Sequence, residues 1–450
     1  MHVLKILLTL TATLVAAHAQ DLRTVTEPAI PPSCATLGAS LASRAGALDA
    51  ASEKTRDTAR IQAAIDSCAA GHAVVLRAES AHDAFLSGPL RLRQGVTLVV
   101  EAGAILFASR DPRDYDLKPG VCGTIDQSGH SCKALINGDH VGDAGVMGDG
   151  IIDGRGGEKI VGQDITWWEL ADKARAGGNQ NNPRILILSH CDNFTLYRIT
   201  LRNSPIFHVD YKSGNGFTVW GVKIYSPKRA RNTDGIDPGN STNVTITRSF
   251  IDAGDDNVAI KAGAGLPTTH MTISHNHFYS GHGMSIGSET NGGASAIRVT
   301  DLSMDGGDNA IRIKSNSTRG GLVHDVVYED VCIRNVTNPI LMDTHYSFKG
   351  PEQDKIPVYN DITLRNIRIM DGGKITLDGF DATHKLEMRF DNVSGGAPRD
   401  LKISGSHATL TMGPGPMNLP VSGEDVTVTG AQGAGSPNSC ANKFVPFPGR

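Results

Sequence analysis

The feature that most constrains this chain is a repeat. Short apolar/polar alternations begin at Phe194, Phe217, Val244, Met271, Ile297, Val326, Ile362 and Leu386, spaced by 23, 27, 27, 26, 29, 36 and 24 residues. A unit of about 25 residues is too short for a propeller blade, which needs about 40. In a sandwich the turn signals would not recur in phase. The spacing suits one lap of a solenoid, with two or three short strands per lap and successive laps about 4.8 Å apart. Inward positions are Val, Ile, Leu and Met, and outward ones Thr, Arg, Lys, Asn and Ser; 51 glycines in 450 residues supply the turns. One early helix is expected over Thr58 to Cys68, with Ile61, Ala64, Ile65 and Cys68 on one face, Asp57 or Thr58 as cap and Gly71 as stop. Its place is over the open N-terminal end of the apolar bore. The sequence therefore predicts an all-β fold: a single-domain right-handed parallel β-helix over residues 20–450 with an N-terminal capping α-helix.

Residues 1–19 read as an export signal: Lys5, an apolar stretch from Ile6 to Ala16, and an Ala17-His18-Ala19 cleavage site. No later run approaches the roughly 18 apolar residues of a membrane span. The mature chain is expected to begin at Gln20 and to be secreted, extracellular and monomeric, with no membrane partner. Seven cysteines suit that compartment. None forms a C-x-x-C pair, so a zinc site has no support. Cys122 with Cys132 and Cys34 with Cys68 are the natural disulfides. The odd count leaves a free thiol, for which Cys191, beside the apolar run Ile185–Leu188, is the candidate. With 43 basic against 47 acidic residues and a formal charge of -4, nucleic acid is not the expected partner. Asn193, Asn243 and Asn335 each open an N-x-T triplet, a glycosylation signal that a coil corner followed by an outward Thr also accounts for.

Four motifs fall on consecutive laps: Asn232-Thr-Asp-Gly235, Gly254-Asp-Asp-Asn257, Gly281-His-Gly283 and Arg312-Ile-Lys314. Asp234, Asp256 and His282 each lie two residues before an apolar position, Ile236, Val258 and Met284. Equal phase places them in one column. Strict alternation would turn them inward, so they are expected on the bend before the strand, where parity lapses and neighbouring glycines give freedom. Arg312 and Lys314 obey parity and face outward. The expected result is three carboxylates and an imidazole beside two cations on one exposed patch. Crowded acids raise one another's pKa, so one carboxyl can stay protonated as a general acid while a second, ionised, holds a water. That is equipment for glycoside hydrolysis, and the paired cations imply an anionic sugar, most simply a uronate.

The ordered set NTDG, GDDN, GHG and RIK resembles the polygalacturonases, glycoside hydrolase family 28. The strings NTDGIDPGNSTNVTI, GDDNVAIKAG and HFYSGHGMSIGSE look like the secreted bacterial endo-acting members. The resemblance extends from the TARIQAAIDSC helix to the last coils and is sharpest over residues 203–346. It implies a β-helix that hydrolyses α-1,4 links of polygalacturonate by single displacement with inversion, without a metal or other cofactor. By this resemblance Asp255 is the general acid, and Asp234 and Asp256 position and activate the water. His282 supports the acid's protonation, and Arg312 and Lys314 grip substrate carboxylates. Tyr346, in Asp343-Thr-His-Tyr346, matches a cleft tyrosine that the family sets in D-Q-x-Y. Asn203 and His208 match a segment of the cleft floor.

Lap spacing alone would suit a retaining enzyme as well, so inversion rests on the resemblance. Lys228, Arg229 and Arg231 could extend a cationic groove or form a solvated basic loop. Trp167 and Trp168 could stack on a sugar or fill the core, and the core reading is favoured. Rival readings are a calcium-dependent pectate lyase, a non-catalytic carbohydrate-binding β-helix, and exo-acting, rhamnogalacturonan or xylogalacturonan hydrolysis within the family. The lack of a large insertion near the motifs favours an open cleft and internal cutting.

Overall fold

Phe194, Phe217, Val244, Met271, Ile297, Val326 and Ile362 stack as anticipated, each the parallel Cα partner of the next. The computed structural model describes residues 20–449 apart from 50, 130, 348–352, 396–400, 416–420, 431–432 and 434–438. The expected export signal lies outside these residues. The last repeat position is corrected: Ile362 pairs with Met388, and Leu386 pairs with Ala408 in the following lap. A slip of two preserves which face each side chain occupies, so alternation alone does not separate the two registers.

A representative lap contains the strands Val209–Lys212, Asn215–Trp220 and Lys223–Tyr225, then a turn leading to Ile236–Gly239 of the next. Farther along, neighbouring strands merge into Thr268–Phe278, Ala294–Asp305 and Leu322–Arg334. One apolar cluster runs through the bore from Ile61 to Met412, and most of its members have no exposed surface. Each such Val, Ile or Leu contributes roughly 1.5–3 kcal/mol through burial.

The capping helix, α1, spans Thr58–Ser67 and buries Ile61, Ala64 and Ile65. Asp57 precedes it without a side-chain capping bond. Its carboxylate instead accepts from Leu86 N (2.8 Å) and Arg60 Nε (2.6 Å), tying helix to sheet. A second helix, α2, spans Trp167–Ala174 and was not anticipated, although the capping box formed by Thr166 and Glu169 marks its start. Both tryptophans are buried, and Trp168 Nε1 donates to Ser204 O (2.9 Å), so packing accounts for them.

The disulfides Cys34–Cys68 and Cys122–Cys132 are present, and Cys191 is free and buried. A third, Cys332–Cys440, folds the C-terminal segment back along the laps. There Tyr279 Oη donates to Val445 O (2.9 Å), and the Phe447 ring meets Tyr279 edge-on. This strap braces the strand end immediately before the His282 turn. The three sequon asparagines hold positive φ and donate their amides to Asp143, Asn215 and Asp305, which fits the corner role.

Candidate active site

Ile236, Val258, Met284 and Ile311 share one register. Asp234, Asp256 and His282 therefore sit at equivalent points in stacked turns that enter the same sheet. They escape alternation because the chain bends there: Asn232 has φ 55° and Gly283 φ 83°, and a Cβ on Gly283 would collide with the Ala310 carbonyl. Asp255, one residue earlier than Asp256, pairs with a different set of groups, although the two carboxylates stay within 4.8 Å of each other.

Two salt-bridged clusters result. In the first, His282 Nδ1 donates to Asp255 Oδ1 (3.0 Å) and His282 Nε2 lies 3.3 Å from Asp308 Oδ2. Asn232 Nδ2 reaches the other Asp255 oxygen at 3.3 Å, and Gln180 Nε2 in turn donates to Asn232 Oδ1 (3.1 Å). In the second, Asp256 accepts from Lys314 Nζ (2.7 Å), Arg312 Nη1 (3.1 Å) and Ser285 Oγ (2.7 Å). Tyr346 lies over both cations, its ring centroid 5.0 Å from Arg312 Cζ and 5.1 Å from Lys314 Nζ.

The expected exposed patch is corrected to a cleft floor. The Asp256, Arg312 and Lys314 side chains keep 1, 6 and 5% of their surface, against 17% for Asp255 and 30% for His282. Each turn is covered by the next, and Tyr346 closes over the cations. Asp255 and His282, with Asp308 at 45%, are the more exposed members, while Arg312 and Lys314 keep only a small exposed edge.

Burial and pairing set the protons. For Asp255, burial pushes the pKa up, but the His282 hydrogen bond and charge, with Lys314 behind, outweigh it and hold the carboxyl well below its usual range. Burial likewise opposes ionisation of Asp256, and Lys314 and Arg312 reverse it. His282 is raised: burial would lower it, but Asp255 stabilises the imidazolium by more. Asp234 is raised well above the usual value by burial and then by Asp237, and its Oδ1 is buried with no hydrogen-bond partner. The crowded carboxyl that favours keeping a proton therefore belongs to the Asp234–Asp237 pair. Asp255 favours the ionised form and His282 the protonated one because the two groups touch, whereas no cation among the described residues pairs with Asp234.

His208 is a correction. It has no exposed surface, its Nδ1 lies 2.9 Å from Asp234 O and its Nε2 3.1 Å from Ser226 Oγ. Burial pushes its pKa down to about 4. It props the Asp234 turn from inside and cannot touch substrate. Asn203, one lap earlier and just after the strand Thr200–Arg202, spends its amide on Asp153, at 3.2 Å. The basic loop is locally engaged: Lys228 pairs with Asp308 (3.0 Å), Arg231 donates to Ala171 O (2.8 Å) and Arg229 lies over Trp168.

Asp237, Lys261 and Ser285 are site residues that the motif reading passed over, although parity marks all three as outward, like Arg312. Lys261 Nζ lies 3.9 Å from Asp237 and 4.0 Å from Glu289. Asp237 is 2% exposed with both oxygens lacking hydrogen-bond partners, and burial against the pull of Lys261 lifts its pKa to about 8.

These shifts have a stability signature. Asp237 and Asp234 bind protons more tightly when folded, so stability should fall as pH rises from about 4 towards 8. The His282 contribution is lost over the upper part of that range, as pH climbs through its raised pKa. Asp255 and Asp256, shifted down, lose theirs as pH falls below the ordinary carboxyl range. Urea unfolding should show maximal stability at mildly acid pH. Asp237→Asn should flatten the decline between pH 5 and 8, and an unchanged slope would contradict the assigned protonation.

Ligand atoms of Asp255, Asp256 and His282 lie within 4.8 Å of one another, close enough to hold a cation. The Asp256 oxygens, however, already receive Lys314, Arg312 and Ser285, and His282 Nδ1 is engaged with Asp255. A divalent ion would have to displace buried ammonium and guanidinium groups, so this donor set suits proton chemistry better.

A β-helix that stacks three carboxyls, an imidazole and two cations in consecutive turns carries the equipment of one class, the glycoside hydrolases. Comparison with known proteins narrows it: residues 83–411 match Glycosyl hydrolases family 28, and the chain belongs to that family. It is 39% identical over 495 residues to a polygalacturonase of Ralstonia nicotianae, covering 94% of this chain and 92% of that one. It is 42% identical over 380 residues to an endo-polygalacturonase of Pectobacterium carotovorum, covering 84% and 90%. The solved polygalacturonase of Erwinia carotovora superposes with a TM-score of 0.79 at 38% identity, over 91% of this chain and all of that one.

Proposed function

We propose that this protein hydrolyses internal α-1,4 links of non-esterified polygalacturonate, with inversion, through Asp255, Asp234, Asp256 and His282. The observation that carries the reading is the partly exposed, hydrogen-bonded Asp255–His282 pair set beside the buried Asp256 clamped by Arg312 and Lys314. As a glycosidic oxygen approaches Asp255, the proton moves from His282 Nδ1 to the carboxyl and on to that oxygen. The C1–O bond breaks, and a water on the opposite face forms the new bond to C1. Asp256, kept ionised by its cations, orients that water. Asp234 takes its proton in the state in which Asp237 is protonated and Asp234 ionised. Arg312 and Lys314 hold substrate carboxylates, with Tyr346 covering them, and Asn203 lines the cleft.

Endo action is supported by the Pectobacterium relative, which is named an endo-polygalacturonase. Residues 20–450 act as one catalytic unit once 1–19 are removed, as a monomer outside the cytoplasm; the three disulfides favour that compartment. Product analysis on de-esterified pectin is the test. Early products should form a ladder of saturated oligomers with inverted anomeric configuration. Monomer alone would overturn endo action, retained configuration would overturn single displacement, and ultraviolet-absorbing unsaturated ends would point to a lyase.

A further inference from the structure

The sheet carrying Arg312 and Lys314 has a second regularity. At one outward position on five consecutive laps the residues are Lys212, Gly239, Lys261, Gly287 and Lys314: Lys212 pairs with Gly239, Gly239 bridges to Lys261, Ile260 pairs with Ile286, and Gly287 pairs with Lys314. The lysines are thus two laps apart, roughly 9.6 Å at about 4.8 Å per lap. The intervening glycines keep the floor open. A Cβ on Gly239 would press on Lys261 Cβ at 3.2 Å, and one on Gly287 would collide with the Lys314 carbonyl. Lys212 and Lys261 face one cavity of about 350 Å³, walled by Arg184, Phe207, Asp237 and Glu289.

Lys212 is the outermost rung and half exposed, at 52%. Among the described residues its paired carboxylate, Asp210 (3.0 Å), also pairs with Arg184 (3.1 Å), so two cations share this carboxylate. Asp237 lines the same cavity with two buried oxygens that accept no hydrogen bond, Lys261 Nζ standing 3.9 Å away, as expected where a ligand's hydroxyls complete the hydrogen bonding.

We propose that Lys212 is a specificity-determining residue that holds a substrate carboxylate on the opposite side of the acid column from Arg312 and Lys314. The protein would then read a carboxylate at every second lap of an extended uronate polymer. A linear chain laid along the coil axis, with charged groups alternating in direction, presents charges to one wall at every second sugar. The Lys–Gly–Lys–Gly–Lys order has that period. The inference rests on the polygalacturonate reading and adds a binding site to it.

The test compares kcat and KM of wild type, Lys212→Met and Lys212→Arg on de-esterified and on partly methyl-esterified polygalacturonate, with Lys223→Met on a neighbouring sheet as control. Lys212→Met should raise KM on the de-esterified polymer roughly tenfold while kcat changes by less than about twofold, and should narrow the preference over the esterified polymer. Lys212→Arg should behave as wild type. A Lys212→Met enzyme with unchanged KM, or a Lys212→Arg enzyme impaired as much as Lys212→Met, overturns the ladder alone. Failure of the wild type to cleave either polymer overturns the functional reading and the ladder with it.

Discussion

Asp255→Asn is expected to lower kcat on polygalacturonate by about 10³-fold, within the 10²–10⁴ that a positioned general acid supplies. KM should change little, and the unfolding midpoint should fall by no more than the Asp255–His282 pairing contributes. The amide keeps the shape and can still face His282, but it has no proton to give the leaving oxygen. Asp255 is also among the more exposed members of the cluster, so little packing depends on its charge. Steady-state kinetics with a thermal melt on the same preparation separates the outcomes. A variant retaining a tenth or more of wild-type kcat would remove Asp255 from the acid role, and a collapsed melting temperature would make its role structural.

Asp256→Asn should fail in a different way. This carboxylate is the counter-ion for Arg312 and Lys314, all three nearly without exposed surface. Neutralising it strands two cations in the sheet, at an expected cost of about 3–5 kcal/mol in addition to loss of activity. Urea unfolding measures the stability directly. Adding Lys314→Met to the variant should restore part of the stability but none of the activity, because the second change removes an unpaired charge and a substrate contact together. If Asp256→Asn unfolds at the wild-type midpoint, the buried cluster does not depend on that charge.

Lap, sheet face and the residues sharing a turn were all legible in the chain, because each follows from a period and a parity. The column of Asp234, Asp256 and His282 needed only their equal distance from Ile236, Val258 and Met284. Parity also marked Lys261 and Asp237, but no motif drew attention to them. The last lap was misread by two residues because Leu386 and Met388 satisfy the same alternation. His208 is expected at the cleft floor only through its segment's resemblance to the family, and its ring is folded against the Asp234 backbone.

By itself, the sequence determined the winding and the set of groups that meet in the cleft, since both depend on spacing along a chain that returns to the same azimuth each lap. Only the tertiary structure decided which of those groups hold protons. A carboxyl's charge state depends on what covers it and which cation touches it. Asp255 meets His282, Asp256 meets Lys314 and Arg312, and Asp234 meets neither, through side-chain contacts that no residue spacing encodes.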